Sequence, residues 1–563
     1  MLSIRAATLV VLVLAAVVTP LRALPQASPQ ASSRQVSSQQ KPALVLLIAI
    51  DQMRADYLER FGDQFKGGFR MLLEEGAVFT NAHQAHAITA TATGHASMLS
   101  GLYPRHHGII DNDWWDRELG RRVRATEDSD YSVVGLDPGS DTSGPSGSPR
   151  QFRGTTLVDW LRRQNDRSQT VSISRKDRSA ILMTPEAEHV YWFHWSGRFV
   201  TSTYYRDTLP EWVQRFNAID WMSDYAGAAW TLLQAETLYA ASRPDEYLGE
   251  ARLRGFGDKF PHELPTDRRA LGDTITMTPF MDWATLEIGR EAITALELGA
   301  DDTTDILALG LSATDAVGHA FGPFSREMQD QMLRLDLELA GFFEFIDATV
   351  GLDRVIIVLT SDHGVAPLPE YSRNQGREAK RLDVGAVLNG LDEHISKTFG
   401  NGRWFSGYSY GWLHLNRQQV AQHDADPAQV LAAAATYLRS RNEVAAVFSR
   451  ANLDADHPAQ TDLERRVHRS YFPSRSGDLY IIHAPFSIWQ TGAAASHQSP
   501  YFYDSHVPLI LRGPGVAPGR YGGYVEIVDL APTLAALLSV SPPVDLDGRV
   551  LREGLSRREG GDP

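Results

Sequence analysis

The apolar positions of the chain gather into a few unbroken runs that stop at acids. Residues Ala43 to Ile50 (ALVLLIAI) are continuously apolar and end at Asp51. Ile306 to Leu311 (ILALGL) leads to Asp315, and Val355 to Leu359 (VIIVL) leads through Thr360 and Ser361 to Asp362, His363 and Gly364. A strand without alternation is buried on both faces, the mark of a parallel sheet in an α/β protein. Ligands of such sheets bind beyond the carboxyl ends of the strands, where these acids and histidines fall. Helical periodicity predicts helices over Asp63 to Glu75, Arg326 to Ala348, Pro427 to Arg439 and Ile527 to Leu538. Tyr191 to Tyr205 alternates aromatic and polar residues around Ser196-Gly197 and predicts a β-hairpin. Glu127 to Gly154, rich in Gly, Ser, Asp and Pro, predicts a surface loop. Residues 210 to 270, dense in Trp, Tyr and charge, predict an inserted cap within a larger insertion at about 185–275. No repeat or clean linker divides the chain. The predicted fold class is therefore α/β, a mostly parallel central sheet sandwiched by helices, with inserted cap regions on one core over residues 43–555.

The N-terminus has a different pattern. Arg5 precedes an apolar run from Ala6 to Pro20, and small residues follow, with cleavage expected after Ala23 or Ala27. The run is shorter than the roughly 20 residues of a membrane span. It predicts a secretory signal peptide over residues 1–23, then a Gln/Ser-rich flexible leader over 24–42. The expected location is periplasmic or secreted, with no stable membrane anchor.

Charge and composition narrow the chemistry. A net charge of -15 argues against a broad nucleic-acid-binding surface. With no cysteine in 563 residues, disulfides, thiolate nucleophiles and Cys-type zinc sites are excluded. Any transition-metal site must use His, Asp, Glu and hydroxyls.

Four groups of residues fit such chemistry. Asp315 and His319 stand four apart, so on a helical turn they share one face and reach one metal; an exposed turn would pair them without one. Asp362 and His363 follow a buried strand, Asp51 ends another, and His497 lies in SHQSPYFYDSHVPL. Together the three acids and three histidines are a ligand set suited to zinc, and paired ions are the usual device for displacement at phosphorus. In ITATATGHASMLSG the hydroxyls of Thr89, Thr91 and Thr93 alternate before a helical pattern. A hydroxyl at a helix start sits where anionic charge is favoured, although threonine also serves there as an ordinary cap; local sequence leaves all three open. In SRKDR, Lys176 and Arg178 would point the same way on an extended segment and form a cationic clamp for phosphate oxygens, where a solvated charged turn is the alternative.

These segments resemble the alkaline phosphatase superfamily, and within it the threonine-nucleophile, phosphate-irrepressible bacterial alkaline phosphatases. The carrying motifs are IAIDQMRADYL, TATGHASMLSGLYPRHHGIIDNDWW, SRKDRSA, SATDAVGHAFGP, TSDHG, SHQSPYFYDSHVPL and VEIVDLAPTLAALL. The resemblance implies an alkaline-phosphatase-like fold, Thr91 as nucleophile with His95 as its marker, and Asn112, Lys176 and Arg178 as ligands of the phosphoryl oxygens. It implies two zinc ions, one held by Asp315, His319 and His497, the other by Asp51, Asp362 and His363 with Thr91. The implied activity is hydrolysis of small-molecule phosphate monoesters through a phosphothreonine intermediate. No residues match a third, magnesium site. The sulfatase motif is absent, since Tyr471 stands two before Pro473. Two other readings remain: a nucleotide pyrophosphatase or phosphodiesterase on the same bimetal core, and a non-catalytic exported zinc-binding protein. The oligomeric state and the natural substrate are left open.

Overall fold

The computed structural model describes residues 41–137, 147–251, 255–454, 459–490 and 492–556. The expected signal peptide and most of the leader lie outside them, as does part of the predicted loop at Glu127 to Gly154. The three apolar runs form strands side by side, joined by a fourth: β1 (Leu44–Ile50), β2 (Thr170–Ser174), β3 (Asp305–Leu311) and β4 (Val355–Thr360), in the parallel order β4-β1-β3-β2. Every residue of β1 has zero exposure. Leu44, Leu46, Ile48 and Ile50 pack into one hydrophobic cluster and Val45, Leu47 and Ala49 into another, so each face of the strand has its own core. Helices Pro279–Ala295 and Arg326–Thr349 supply the first cluster, and Thr91–Ser100, Leu157–Gln164 and Leu530–Leu538 the second. This is the predicted mostly parallel sheet between helix layers. Its edges differ from a purely parallel sheet, because His506–Arg512 pairs antiparallel with β4 and with Ala77–His83.

Register decides where the chemistry lies. Ala49 pairs with Gly310 and with Thr360, and Gly310 pairs with Ser174. The four strands therefore end level, and the residues just beyond them share one edge.

The hairpin forms as His189–Phe193 and Phe199–Ser202, and extends the main sheet. Two helix boundaries shift. Asp63 to Glu75 is a 3-10 turn followed by a helix that starts only at Gly68, because the amides of Lys66 and Gly67 are taken by the Asp336 carboxylate. Ile527 to Leu538 opens as one 3-10 turn, and the α-helix begins at Leu530 with Pro532 in its first turn, where a missing N–H costs nothing. Between 210 and 270 the aromatics Trp212, Trp221 and Trp230 are buried in the same cluster as Leu44, Leu46, Ile48 and Ile50 of β1. Asp330 ties this segment down, accepting from Trp230 Nε1 at 2.6 Å and from the Leu233 amide at 2.7 Å.

A second insertion went unpredicted apart from its helix Pro427–Arg439. Strands Phe405–Ser409, Trp412–Leu415, Leu479–His483 and Val444–Ser449 form an antiparallel sheet in that spatial order. Helices Val384–Phe399 and Pro427–Arg439 cover it.

Candidate active site

Three helices bring side chains to the level strand ends: α1 (Thr91–Ser100), α2 (Asp177–Met183) and α3 (Ala313–Phe321). Asp51 directly follows β1, its amide donating to the Leu311 carbonyl at 2.8 Å. Asp315 and His319 lie one turn apart on α3, with His319 Nε2 3.3 Å from Asp315 Oδ1. The donor atoms of Asp315, His319 and His497 lie within 4.8 Å of one another, and those of Asp51, Asp362 and His363 do likewise. The two groups adjoin, since the rings of His363 and His497 stack with centroids 3.7 Å apart.

The details of both groups fit metal ions. Each histidine commits Nδ1 to a backbone carbonyl: His319 to Ala495 at 2.8 Å, His497 to Thr89 at 2.6 Å and His363 to Gly364 at 2.9 Å. That fixes the tautomer and leaves each Nε2 lone pair available to a metal, the arrangement ligating histidines adopt. Asp51 Oδ1 is buried and accepts no hydrogen bond among the described residues, a costly state for a carboxylate oxygen unless a cation serves it.

The charges are strongly coupled. Burial, with the carboxylates of Asp315 and Asp362 nearby, pushes Asp51 up to about 7. Burial acts the same way on Asp362, but His363 and His95 outweigh it and hold that carboxyl below its ordinary range. Burial also holds His497 well below its ordinary value, reinforced by His363 and His319, so the ring is neutral and able to ligate.

The three threonines separate by their contacts. The cap position of α1 is Ala90, with no side-chain cap, so ordinary capping explains none of them. Thr89 donates to the Ser499 carbonyl at 2.9 Å, and Thr93 Oγ1 is buried without a hydrogen bond among the described residues. Thr91 Oγ1 stands 3.5 Å from His363 Nε2 and 3.3 Å from Lys176 Nζ. Lys176 Nζ also lies 2.5 Å from Asp51 Oδ2 and 2.7 Å from Asp315 Oδ2, one carboxylate from each cluster. Asn112 accepts from the Ala92 amide at 2.9 Å through Oδ1, which leaves its amide hydrogens to point elsewhere. The extended segment expected for Lys176 and Arg178 is not found. Of the two, only Lys176 lies in extended chain (φ -94, ψ 134), and α2 begins at Asp177. Arg178 thus sits in the first helical turn, with Nε buried and unpartnered among the described residues.

Several supporting residues carry no clear sequence signal. Gln52 takes the left-handed conformation (φ 67), which a non-glycine residue adopts at a cost. There its amide donates to Asp362 Oδ1 at 3.0 Å and its Nε2 to Asp315 Oδ1 at 2.9 Å, linking the two clusters. His95, marked only by the motif, lies 3.1 Å from Asp362 Oδ2 through Nδ1 and donates to the Thr91 carbonyl at 2.8 Å. Gly94 allows this approach, since a Cβ there would stand 2.2 Å from the Asp362 carbonyl oxygen.

Paired acid/histidine clusters beside a helix-start hydroxyl, at the carboxyl edge of a parallel sheet, make a site suited to phosphoryl chemistry. The chain belongs to the type I phosphodiesterase/nucleotide pyrophosphatase family, whose model matches residues 45–495. It is 34% identical to alkaline phosphatase PhoV of Synechococcus elongatus, over 91% of this chain and 93% of that protein. It is 32% identical to alkaline phosphatase PafA of Elizabethkingia meningoseptica, over 92% and 95%. The crystal structure of PafA superposes with a TM-score of 0.85 at 31% identity, covering 92% of this chain and 99% of that one. Murine ectonucleotide pyrophosphatase/phosphodiesterase 5, at 15% identity and a TM-score of 0.52, shares the fold. No helix among the described residues is long and apolar enough to cross a membrane.

Proposed function

We propose that the protein is an exported phosphate monoester hydrolase of the alkaline phosphatase type, with Thr91 as nucleophile. One observation carries the reading: Lys176 Nζ stands 3.3 Å from the Thr91 hydroxyl, and Asn112 is held at the start of the same helix. A monoester dianion spreads two charges over three non-bridging oxygens, and Lys176, Asn112 and Arg178 are donors for them. Two zinc ions, held by Asp315, His319 and His497 and by Asp51, Asp362 and His363, would supply the Lewis acidity that lowers the Thr91 hydroxyl pKa and offsets charge on the leaving oxygen.

The remaining work falls to the chain. Thr91 Oγ1 forms a bond to phosphorus as the bond to the ester oxygen breaks, giving phosphothreonine and the free alcohol. Water then takes the phosphoryl group, restoring Thr91 and releasing inorganic phosphate. Throughout, Lys176, Asn112 and Arg178 hold the equatorial oxygens where charge accumulates. The export assignment rests on the apolar run at Ala6 to Pro20.

The test compares kcat/KM of the purified protein on p-nitrophenyl phosphate and bis-p-nitrophenyl phosphate, with elemental analysis of the same sample. A strong monoester preference with about two zinc ions per chain is expected. A diester preference would favour the phosphodiesterase reading, and bound zinc without turnover would favour a binding protein.

A further inference from the structure

The segment that reaches His497 has no regular secondary structure from Gly492 to Tyr501, so its backbone groups need partners from elsewhere. Part of it clasps His319. The amides of Ala494 and Ala495 donate to the His319 carbonyl at 2.8 and 3.4 Å, and the Ala495 carbonyl accepts from His319 Nδ1 at 2.8 Å. Its neighbouring carbonyls go to Arg381, which stands at the root of the second insertion in a short strand, Arg381–Leu382, parallel to Ile488–Trp489. Arg381 Nη1 donates to the Ala493 carbonyl at 2.9 Å, and Nη2 to the Ala494 carbonyl at 3.0 Å. Glu370 anchors the same guanidinium, with Nε 3.1 Å from Oε1 and Nη2 2.9 Å from Oε2.

Arg381 also takes hold of the inserted segment between 210 and 270. Its Nη2 donates to the Gly249 carbonyl at 2.9 Å. Gly249 has φ 102, and a Cβ there would stand 2.4 Å from Glu370 Oε2, so glycine is what lets the chain approach the ion pair this closely. Two residues on, the Ala251 amide donates to the carbonyl of Ala320, the residue after His319, at 2.8 Å. One planar fork thus joins two segments that each bond to the chain at His319 or Ala320, and its side chain is only 24% exposed. A lysine carries all its donors on one atom and cannot span the same acceptors. The other acid/histidine cluster is built differently. Asp51 follows β1, Asp362 and His363 follow β4, and His363 Nδ1 goes to Gly364. No hydrogen bond of Arg381 among the described residues reaches that cluster.

We propose that Arg381 is a positioning residue for the ion held by Asp315, His319 and His497, and for that ion alone: by fixing Ala493, Ala494 and Gly249 it keeps His319 aimed. The proposal rests on the two-zinc part of the reading above. Its test dialyses the zinc-loaded protein against a graded series of chelator-buffered free zinc and counts zinc per chain by elemental analysis. The proteins are the wild type, Arg381→Met, Arg381→Lys, His497→Ala, and Arg381→Met combined with His497→Ala. Arg381→Met should raise the free zinc needed to hold one ion by about tenfold, the low end of the roughly 10–100-fold cost of losing an outer partner, and leave the other ion within about twofold. Arg381→Lys keeps the charge facing Glu370 but loses the fork. It should weaken the same ion by less, and it carries the test alone if methionine prevents folding. In the His497→Ala background, where that site already lacks a ligand, Arg381→Met should not loosen the remaining ion further. An unchanged zinc curve, equal weakening of both ions, or added weakening in the His497→Ala background would overturn the positioning role and leave the two-zinc reading standing. Wild-type protein that holds no zinc would overturn the ligand assignment and this proposal with it.

Discussion

Replacing Lys176 and Arg178 together by alanine separates recognition of charge from support of the metal clusters. Lys176 Nζ is 3.3 Å from Thr91 Oγ1 and within 2.7 Å of a carboxylate oxygen in each cluster, so it stands where the phosphoryl group must pass. Arg178 brings a buried Nε with no protein partner among the described residues. A hydrogen bond to a charged group is worth about 1.5–3 kcal/mol. Losing one from each side chain removes about 3–6 kcal/mol from the monoester transition state, or roughly two to four orders of magnitude in kcat/KM. A diester has one charge fewer and an ester group in place of one oxygen, so its rate should fall by less than about tenfold. The assay is kcat/KM on p-nitrophenyl phosphate and bis-p-nitrophenyl phosphate, with zinc content measured on the same preparations. A preference for the monoester that shrinks while zinc stays bound supports the reasoning. An equal fall on both substrates, or a loss of zinc, would show that the pair serves the clusters rather than the substrate.

Other consequences are as direct. Gly94→Ala places a Cβ 2.2 Å from backbone at Asp362; overpacking of about 1–3 kcal/mol and a displaced Thr91 should cut activity about a hundredfold, and a variant with more than half of wild-type kcat/KM would contradict that close approach. Chelation should abolish turnover and lower the melting temperature, because the buried carboxylates of Asp51, Asp315 and Asp362 would lose the cations that the proposed ligand assignment gives them; a melting curve indifferent to chelator and zinc would argue against that assignment. Burial pushes Asp504 up to about 8 from 3.8, against two hydrogen bonds from Ser499. Its folded pKa is raised, so its stabilising contribution is full at acid pH and is lost as pH rises towards 8. Asp504→Asn should therefore raise the melting temperature more at pH 8.5 than at pH 5, and the reverse order would refute the assignment.

What could be read from the sequence followed from burial and short-range geometry. A strand covered on both faces has no choice but to be apolar, so β1, β3 and β4 announced themselves and their ends. The turn carrying Asp315 and His319 was legible because four residues span one helical turn. The linkage made by Gln52 was not, since nothing in IAIDQM marks a left-handed residue; its conformation depends on partners 263 and 310 positions away. The geometry at Lys176 was misread because a charged tripeptide does not show where a helix starts. The antiparallel sheet of the second insertion escaped for a similar reason: its strands lie as much as 64 residues apart between Leu415 and Leu479, and pair through contacts that no local pattern encodes.

The central claim is that Thr91 carries the phosphoryl group of a monoester. Acid quenching of the zinc-loaded enzyme during monoester turnover, followed by peptide mapping, tests it most directly. Phosphate should be found on Thr91, and Thr91→Ala should lose both the label and most of the activity, while Thr89→Ala and Thr93→Ala keep both. Label on Thr89 or Thr93, or full turnover by Thr91→Ala, would contradict the account.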